Sequence, residues 1–473
     1  TTTIREWTNK NRLPVFMTAT CELSRYDDPE VESAGEMIVF NPNGGAVGML
    51  TTTRTVFSGG NQELNTAFFE TVLVEDAGTG QMRCLGDICK DTKNSNEVTS
   101  TVNMRNFSLL GDPAMMLAYP EEKIYITEIP DTIKSLDLVT ISGYVGDSDG
   151  DTLTDFNGFI YPKVFDKRSY LSTLDNDEVA GAFSYSMFRN VIHKGLASVE
   201  NGSFTFQFVV PRDIDYTYGS GRISCYALSG EIDAHGSSED FIIGGTSDDV
   251  IVDDEGPEVD LYMNDELFES GDITSEDPWL YARLFDESGI NTVGNGIGHD
   301  LKAVLDGEYD NPYILNSFFA ADLDTYKSGT VRFPFNDLEE GLHTLEFKVW
   351  DVQNNSATDT VEFIVVNSLE VALQSVIAYP NPAYDDATFR FSHNQECNAV
   401  EARVDIYDSM GRFVNSYVTD LHAHGSRTDL FKWDLSNSSG LRVGAGIYTF
   451  KIELTTINGA STQYGSKLIV VKP

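Results

Sequence analysis

The sequence predicts a multidomain protein in which a partial α/β domain is followed by three β-sandwich domains. Helix and strand patterns alternate over residues 1–118, which is typical of a mainly parallel sheet covered by helices. From residue 119 to the end, short strands with a period of two alternate with frequent turns, as in β-sandwiches. A chain of 473 residues is also too long for one hydrophobic core and long enough for several.

The composition narrows the classes of partner. The chain carries 74 acidic and 32 basic residues, a formal net charge of −42. Such a surface repels nucleic acid and anionic lipid, so we expect neither as a partner. The hydrophobic content of 41% predicts folded domains. Five scattered cysteines predict mostly free thiols and no zinc site, and we expect no required cofactor.

One cysteine stands out by its position in the predicted sheet. Residues 14–17 form a short apolar run that predicts a buried strand, and Cys21 follows at its carboxyl end. Reactive groups gather at this edge of open α/β sheets. A thiol placed there can act as a nucleophile if a base or a positive field makes it a thiolate. The alternative is a small, buried and unreactive side chain, which is common for free cysteine.

The elements that follow Cys21 are predicted from local signals. Ser33 and Glu36 form a capping box that starts a short helix. Residues 46–53 predict a second buried strand. An apolar stripe with a spacing of four then predicts a longer helix, at Leu64, Phe68 and Val72.

Three segments of this domain, residues 8–29, 33–57 and 106–117, resemble the C-terminal half of a gingipain-type cysteine peptidase domain, which is caspase-like. This resemblance implies that Cys21 is the nucleophile of a His–Cys dyad. The family carries its histidine upstream in a His-Gly motif, whereas the first histidine here is His193. We therefore expect the chain to be part of a longer protein and to be inactive as a peptidase by itself.

Charged residues near Cys21 are candidates for substrate contacts. Glu22 and Arg25 follow the cysteine directly, and Arg54 ends the second strand on the same edge of the sheet. Arg54 is the better candidate for binding a substrate carboxylate. Alternatively, all three are solvated turn residues without a role in binding.

Residues 119–246 predict the first sandwich, at the place where gingipains carry an immunoglobulin-like module. An irregular stretch interrupts it at about residues 165–195. One of its loops holds alternating carboxylates on a glycine-bearing turn, a pattern that can bind calcium. The alternative is an ordinary acidic hairpin. The four candidate ligands are Asp147, Asp149, Asp151 and Asp155.

Residues 257–367 predict a second sandwich and residues 368–473 a third. Four short pieces of the third resemble a type IX secretion C-terminal domain, namely residues 376–382, 404–412, 444–448 and 467–471. Domains of that kind address proteins to an outer-membrane translocon.

Together the resemblances imply a cell-surface cysteine peptidase and transpeptidase, a sortase of the type IX secretion system associated with the outer membrane. Its implied partners are a PorV-like β-barrel anchor, cargo proteins with C-terminal signal domains and a lipopolysaccharide acceptor, and calcium is a possible ligand. Two alternatives stay open. The chain could be a secreted gingipain-like protease that is itself cargo, or a noncatalytic β-sandwich adhesin in which Cys21 is buried.

Overall fold

The computed structural model describes residues 2–176, 181–248, 252–293, 298–367, 371–395, 399–421 and 427–471. The chain divides into two compact units, residues 1–119 and 120–473. The first is an α/β unit and the second consists of β-sheets, so the predicted fold class is confirmed. Cys397 lies outside the described residues, and the other four cysteines are free thiols. No described helix has both the length and the apolar character needed to cross a membrane.

The α/β unit contains a three-stranded sheet in the order β1-β2-β3 with short helices around it. Its elements, in chain order, are α1 (Thr2–Arg5), β1 (Val15–Met17), α2 (Ala34–Val39), β2 (Gly48–Thr52), α3 (Ser58–Val72), α4 (Leu85–Asn94), α5 (Thr101–Asn106) and β3 (Phe107–Leu110).

The sheet is only half parallel, which corrects the prediction of a mainly parallel sheet. β1 pairs with β2 in parallel, whereas β3 pairs with β2 in the antiparallel direction. The reason is the path of the chain, because α5 runs directly into β3 opposite Thr52, at the carboxyl end of β2. A strand that enters from this end can only run back along its neighbour.

The predicted capping box and helical stripe are confirmed, whereas β1 is half-buried and not buried as predicted. The hydroxyl of Ser33 accepts a hydrogen bond from the Glu36 N–H, and the Glu36 carboxylate accepts one from the Ser33 N–H, so both halves of the capping box are present. The stripe of α3 lies in the core, where Leu64, Phe68 and Val72 are all buried.

The first sandwich (residues 122–246) is built on an eight-stranded sheet that closes on itself, because β7 pairs with β14 as well as with β10 and β11. A three-stranded sheet of β13, β16 and β5 accompanies it. The predicted irregular stretch contains a separate hairpin of β8 and β9. The strands are β4 (Glu122–Glu128), β5 (Thr132–Ser135), β6 (Leu138–Gly146), β7 (Gly158–Phe165), β8 (Ser169–Ser172), β9 (Ser184–Met187), β10 (Val191–Lys194), β11 (Ala197–Glu200), β12 (Ser203–Val209), β13 (Gly219–Ser220), β14 (Arg222–Ser229), β15 (Ile232–Ser238) and β16 (Ile242–Thr246).

The second sandwich (residues 258–365) encloses its own core between sheets of four and five strands. It includes one 3-10 turn, Asn316–Phe318. The strands are β17 (Glu258–Met263), β18 (Ile273–Thr274), β19 (Trp279–Phe285), β20 (Lys302–Leu305), β21 (Tyr313–Ile314), β22 (Phe319–Ala321), β23 (Ser328–Pro334), β24 (Gly341–Trp350) and β25 (Ser356–Val365).

The third sandwich (residues 373–470) has a sheet of three strands and a sheet of four, again around a separate core. Its strands are β26 (Leu373–Tyr379), β27 (Ala387–His393), β28 (Val400–Asp408), β29 (Phe413–Leu421), β30 (Arg427–Trp433), β31 (Gly446–Thr456) and β32 (Ser461–Val470).

Specific contacts join consecutive sandwiches. Between the first and second, the Asp324 carboxylate accepts hydrogen bonds from the N–H and hydroxyl of Ser198 at 2.6 and 2.7 Å. Val293 and Tyr326 of the second sandwich pack into the core of the first. Between the second and third, Arg427 forms an ion pair with Asp272 at 3.0 Å. Consecutive sandwiches are therefore packed against each other.

Candidate active site

Cys21 lies in a loop that connects the carboxyl end of β1 to the segment before α2. The backbone fixes both ends of the loop to β2, because the Thr18 N–H donates to the Leu50 carbonyl at 3.1 Å and the Ser24 N–H to the Thr52 carbonyl at 2.9 Å. Residues 18–24 are called the Cys21 loop here. The strand-end position predicted for the cysteine is thus observed.

The thiol of Cys21 is exposed, which argues against the reading as a buried small side chain. Its Sγ lies 3.5 Å from the carbonyl oxygen of Val56. Among the described residues none accepts a hydrogen bond from the Cys21 N–H. This N–H is therefore available to stabilise an oxyanion that forms beside the sulfur. The next residue, Glu22, has a φ of 58°, a left-handed conformation that is uncommon for non-glycine residues.

The predicted arginine contacts are occupied by carboxylates of the same region. Arg54 binds both oxygens of Asp27 through its two terminal nitrogens, and this hydrogen-bonded guanidinium lowers the pKa of Asp27. Arg25 lies 3.5 Å from Asp28. Because Arg54 and Arg25 already have acidic partners, a substrate carboxylate would have to displace them. Glu22 accepts a hydrogen bond from Thr55 at 3.4 Å.

The α/β unit carries the exposed Cys21 thiol, and its sequence contains no histidine. The sequence has no histidine before His193, which is buried in the first sandwich. The histidine implied by the family resemblance therefore has no counterpart in residues 1–119.

The acidic loop of the first sandwich is shaped as a turn. The Asp147 carboxylate accepts hydrogen bonds from the N–H groups of Asp149 and Asp151, each at 3.0 Å. Tyr125 and Tyr144 donate to two carbonyl groups of the same loop. Within the described parts of the chain, the predicted set with Asp155 is not a group whose ligand atoms converge. Calcium at this loop stays a prediction.

A different group of carboxylates does converge, and the sequence analysis missed it. Ligand oxygens of Asp253, Asp286 and Asp351 lie within 4.8 Å of one another. Burial raises the pKa of Asp286 to about 6 and also raises the pKa of Asp351. The signal available in the sequence was weak, because Asp286 and Asp351 each simply follow a strand and cap their own turns through backbone N–H groups.

The models of two protein families match parts of the sequence. The sequence model of peptidase family C25 matches residues 1–118, and that of the FlgD Ig-like domain matches residues 381–457. Residues 1–118 therefore belong to peptidase family C25, the gingipain family. None of the curated proteins compared with the chain matches it.

Among solved structures, the chain is similar to dimeric latent PorU from Porphyromonas gingivalis. The two are 31% identical over 83% of this chain and 38% of that chain, with a TM-score of 0.36. The present chain thus spans well under half of that PorU chain. SGBP-B of the mixed-linkage glucan utilization locus of Bacteroides ovatus is 12% identical over 74% of this chain and 70% of its own, with a TM-score of 0.22. The likeness to PorU rests on sequence identity.

Proposed function

We propose that this chain is part of a cell-surface cysteine peptidase and transpeptidase that serves as the sortase of a type IX secretion system. It removes C-terminal signal domains from cargo proteins and transfers the cargo to an amine of lipopolysaccharide. One observation carries the proposal: an exposed thiol, Cys21, stands at the carboxyl end of a strand inside a family C25 segment. The 31% identity with PorU supports the choice of a sortase over other peptidases.

The chemistry follows from the position of the thiol. The Cys21 thiolate attacks the carbonyl carbon of the scissile bond, and the C–N bond breaks to leave a thioester. The departing amine takes up one proton, which the histidine implied by the family would supply from outside the α/β unit. An amine of the lipopolysaccharide then attacks the thioester carbon, the C–S bond breaks, and the thiolate is released. The proton that this amine loses returns to the same histidine, which gave one up in the first step. The Cys21 N–H donates to the oxyanion in both steps.

The third sandwich supports a location of the protein at the outer membrane. By its resemblance to a type IX C-terminal domain, it would be retained and would hold the enzyme to a PorV-like β-barrel anchor at the outer membrane. The match to an Ig-like domain over residues 381–457 supports a folded docking module in this place. If the third sandwich were instead removed during secretion, the protein would be a gingipain-like protease that is itself cargo.

The substitution Cys21→Ala tests the proposal. Introduced into the protein in its own host, it should lower cargo processing by at least about 1,000-fold, because removal of the nucleophile leaves only binding and oxyanion stabilisation. The readout is the ratio of mature cargo to cargo that still carries its signal domain. Cys84→Ala is the matched control, since that partly exposed thiol lies in the same unit and has no proposed role.

Normal processing by the Cys21→Ala protein would contradict the enzyme proposal and favour a noncatalytic role. We also propose that the 473-residue chain by itself does not hydrolyse peptides, for want of the imidazole. Peptide cleavage by the purified chain would contradict this second point.

A further inference from the structure

One buried hydroxyl closes the Cys21 loop at its base. The Oγ1 of Thr51, in β2, accepts a hydrogen bond from the Thr18 hydroxyl at 2.8 Å and another from the Ser24 hydroxyl at 3.0 Å. Thr51 and Ser24 have no exposed surface. Bonds between buried hydroxyls are worth more than the same bonds in water, and breaking them leaves desolvated polar groups.

The two donors are placed symmetrically about the nucleophile. Thr18 precedes Cys21 by three residues and Ser24 follows it by three. Their N–H groups bind the carbonyl groups on either side of Thr51, those of Leu50 and Thr52. Four hydrogen bonds therefore join the two ends of the loop to three consecutive residues of one strand, and Cys21 lies at the apex.

The helix α2 prevents the Ser24 end of the loop from relaxing. The Gly35 N–H donates to the Leu23 carbonyl at 3.0 Å. A Cβ on Gly35 would lie 1.8 Å from the Ser24 Oγ, so the backbone of α2 is in direct contact with Ser24. With this side blocked, the orientation of Ser24 depends on its bond to Thr51.

We infer that Thr51 is a positioning residue, whose hydroxyl holds the Cys21 loop so that the sulfur and the adjacent N–H face the same substrate carbonyl. This rests on the proposed function of Cys21 as nucleophile. Thr51 contacts no reacting atom and acts only through Thr18 and Ser24. Attack by a nucleophile requires a geometry so narrow that a displacement of about 1 Å can cost about 100-fold in rate.

The neighbouring residue provides a matched control. Thr52 is also fully buried in β2, but its hydroxyl has no hydrogen-bond partner among the described residues. Thr51→Val and Thr52→Val therefore make the same change of shape at adjacent positions. Only Thr51→Val removes the two hydroxyl hydrogen bonds to Thr18 and Ser24. Thr51→Ser keeps the hydroxyl and tests for rescue. Ser24→Ala removes one of the two bonds and serves if Thr51→Val fails to fold.

The experiment measures two properties of each variant. With enzyme purified from the host and a peptide that spans a cargo–signal junction, Thr51→Val should lower kcat about 10- to 100-fold and change KM less than about threefold. Thr51→Ser and Thr52→Val should stay within about threefold of the parent. Alkylation of Cys21 by iodoacetamide, followed by peptide mass spectrometry on the 473-residue chain, should stay within about threefold in every variant, since a small reagent needs no aligned substrate.

Two results would overturn the inference. Equal kcat values for Thr51→Val and Thr52→Val would show that the hydroxyl does not position the loop, and so would a failure of Thr51→Ser to restore the rate. Neither result affects the proposed function, which fails only if Cys21→Ala retains activity in the same assay.

Discussion

At the scale of single residues, burial gives two histidines an unusual acid–base character. Burial lowers the pKa of His193 to about 3 and that of His393 to about 4, from an ordinary value of 6.5. The ring of His193 stacks on Phe208 with centroids 4.4 Å apart. Both histidines are therefore neutral in the folded protein over the physiological range.

These shifts predict loss of stability in mild acid. Below about pH 6.5 the unfolded chain binds protons that the folded chain cannot, so the free energy of unfolding falls by up to about 1.4 kcal/mol per pH unit for each histidine. His193→Phe should flatten this decline when chemical unfolding is compared at about pH 7 and about pH 5.

His235→Gln is the control for that experiment, because the His235 side chain is exposed. Comparing variant with parent isolates the histidine from carboxyl groups such as Asp286, whose raised pKa acts in the opposite direction. An unchanged pH slope in His193→Phe would show that this residue is not buried in neutral form.

At the scale of elements, the contact between α2 and the Cys21 loop can be tested with a single methyl group. Gly35→Ala places a Cβ against Ser24, so we expect a loss of about 1–3 kcal/mol in stability and a lower rate at Cys21. Gly59→Ala is the matched control, since a Cβ at this position of α3 meets nothing within 4 Å and should stabilise by up to about 1 kcal/mol. Chemical unfolding and the peptide assay provide the readouts, and equal behaviour of the two variants would contradict the prediction.

The elements that sequence analysis predicted correctly are those encoded by nearby residues. The capping box of Ser33 and Glu36 spans three positions, and the stripe of α3 is a local repeat. The prediction of a mainly parallel sheet was wrong, because the antiparallel direction of β3 depends on where the chain leaves α5.

In the candidate site, too, features set by nearby residues were predicted and features set by distant residues were not. The position of Cys21 followed from one apolar run, whereas its supporting contacts join residues far apart in the chain. Arg54 is 27 residues from its partner Asp27, and Thr51 is 33 residues from Thr18. Charge and hydroxyl patterns do not specify such pairs until the strands are placed side by side. Sequence alone therefore located the Cys21 thiol and missed the contacts that hold its loop.

At the scale of the whole molecule, one buried ion pair joins the second and third sandwiches. The side chains of Arg427 and Asp272 are 6% and 3% exposed, and their charged atoms lie 3.0 Å apart. The hydroxyl of Ser392 also donates to Asp272 at 3.0 Å. Losing one partner would leave the other charge buried without compensation.

Arg427→Met should therefore destabilise the chain by about 3–5 kcal/mol, detected as a lower calorimetric unfolding temperature. Arg412→Met removes an exposed ion pair with Asp408 and should change the unfolding temperature little. Protease cleavage between the second and third sandwiches should also become faster in Arg427→Met only. Unfolding temperatures that match between the two variants would contradict a structural role for the buried pair.

The packing of Val293 and Tyr326 into the first sandwich has a consequence for how the chain can be taken apart. A gene fragment that ends at residue 256 would encode every strand of the first sandwich and still lack part of its interior. Such a fragment should be poorly soluble and give a broad melting curve, whereas a fragment of residues 120–367 should melt sharply. The smallest fragment that should fold well here is the first sandwich together with the second, and not the first sandwich alone.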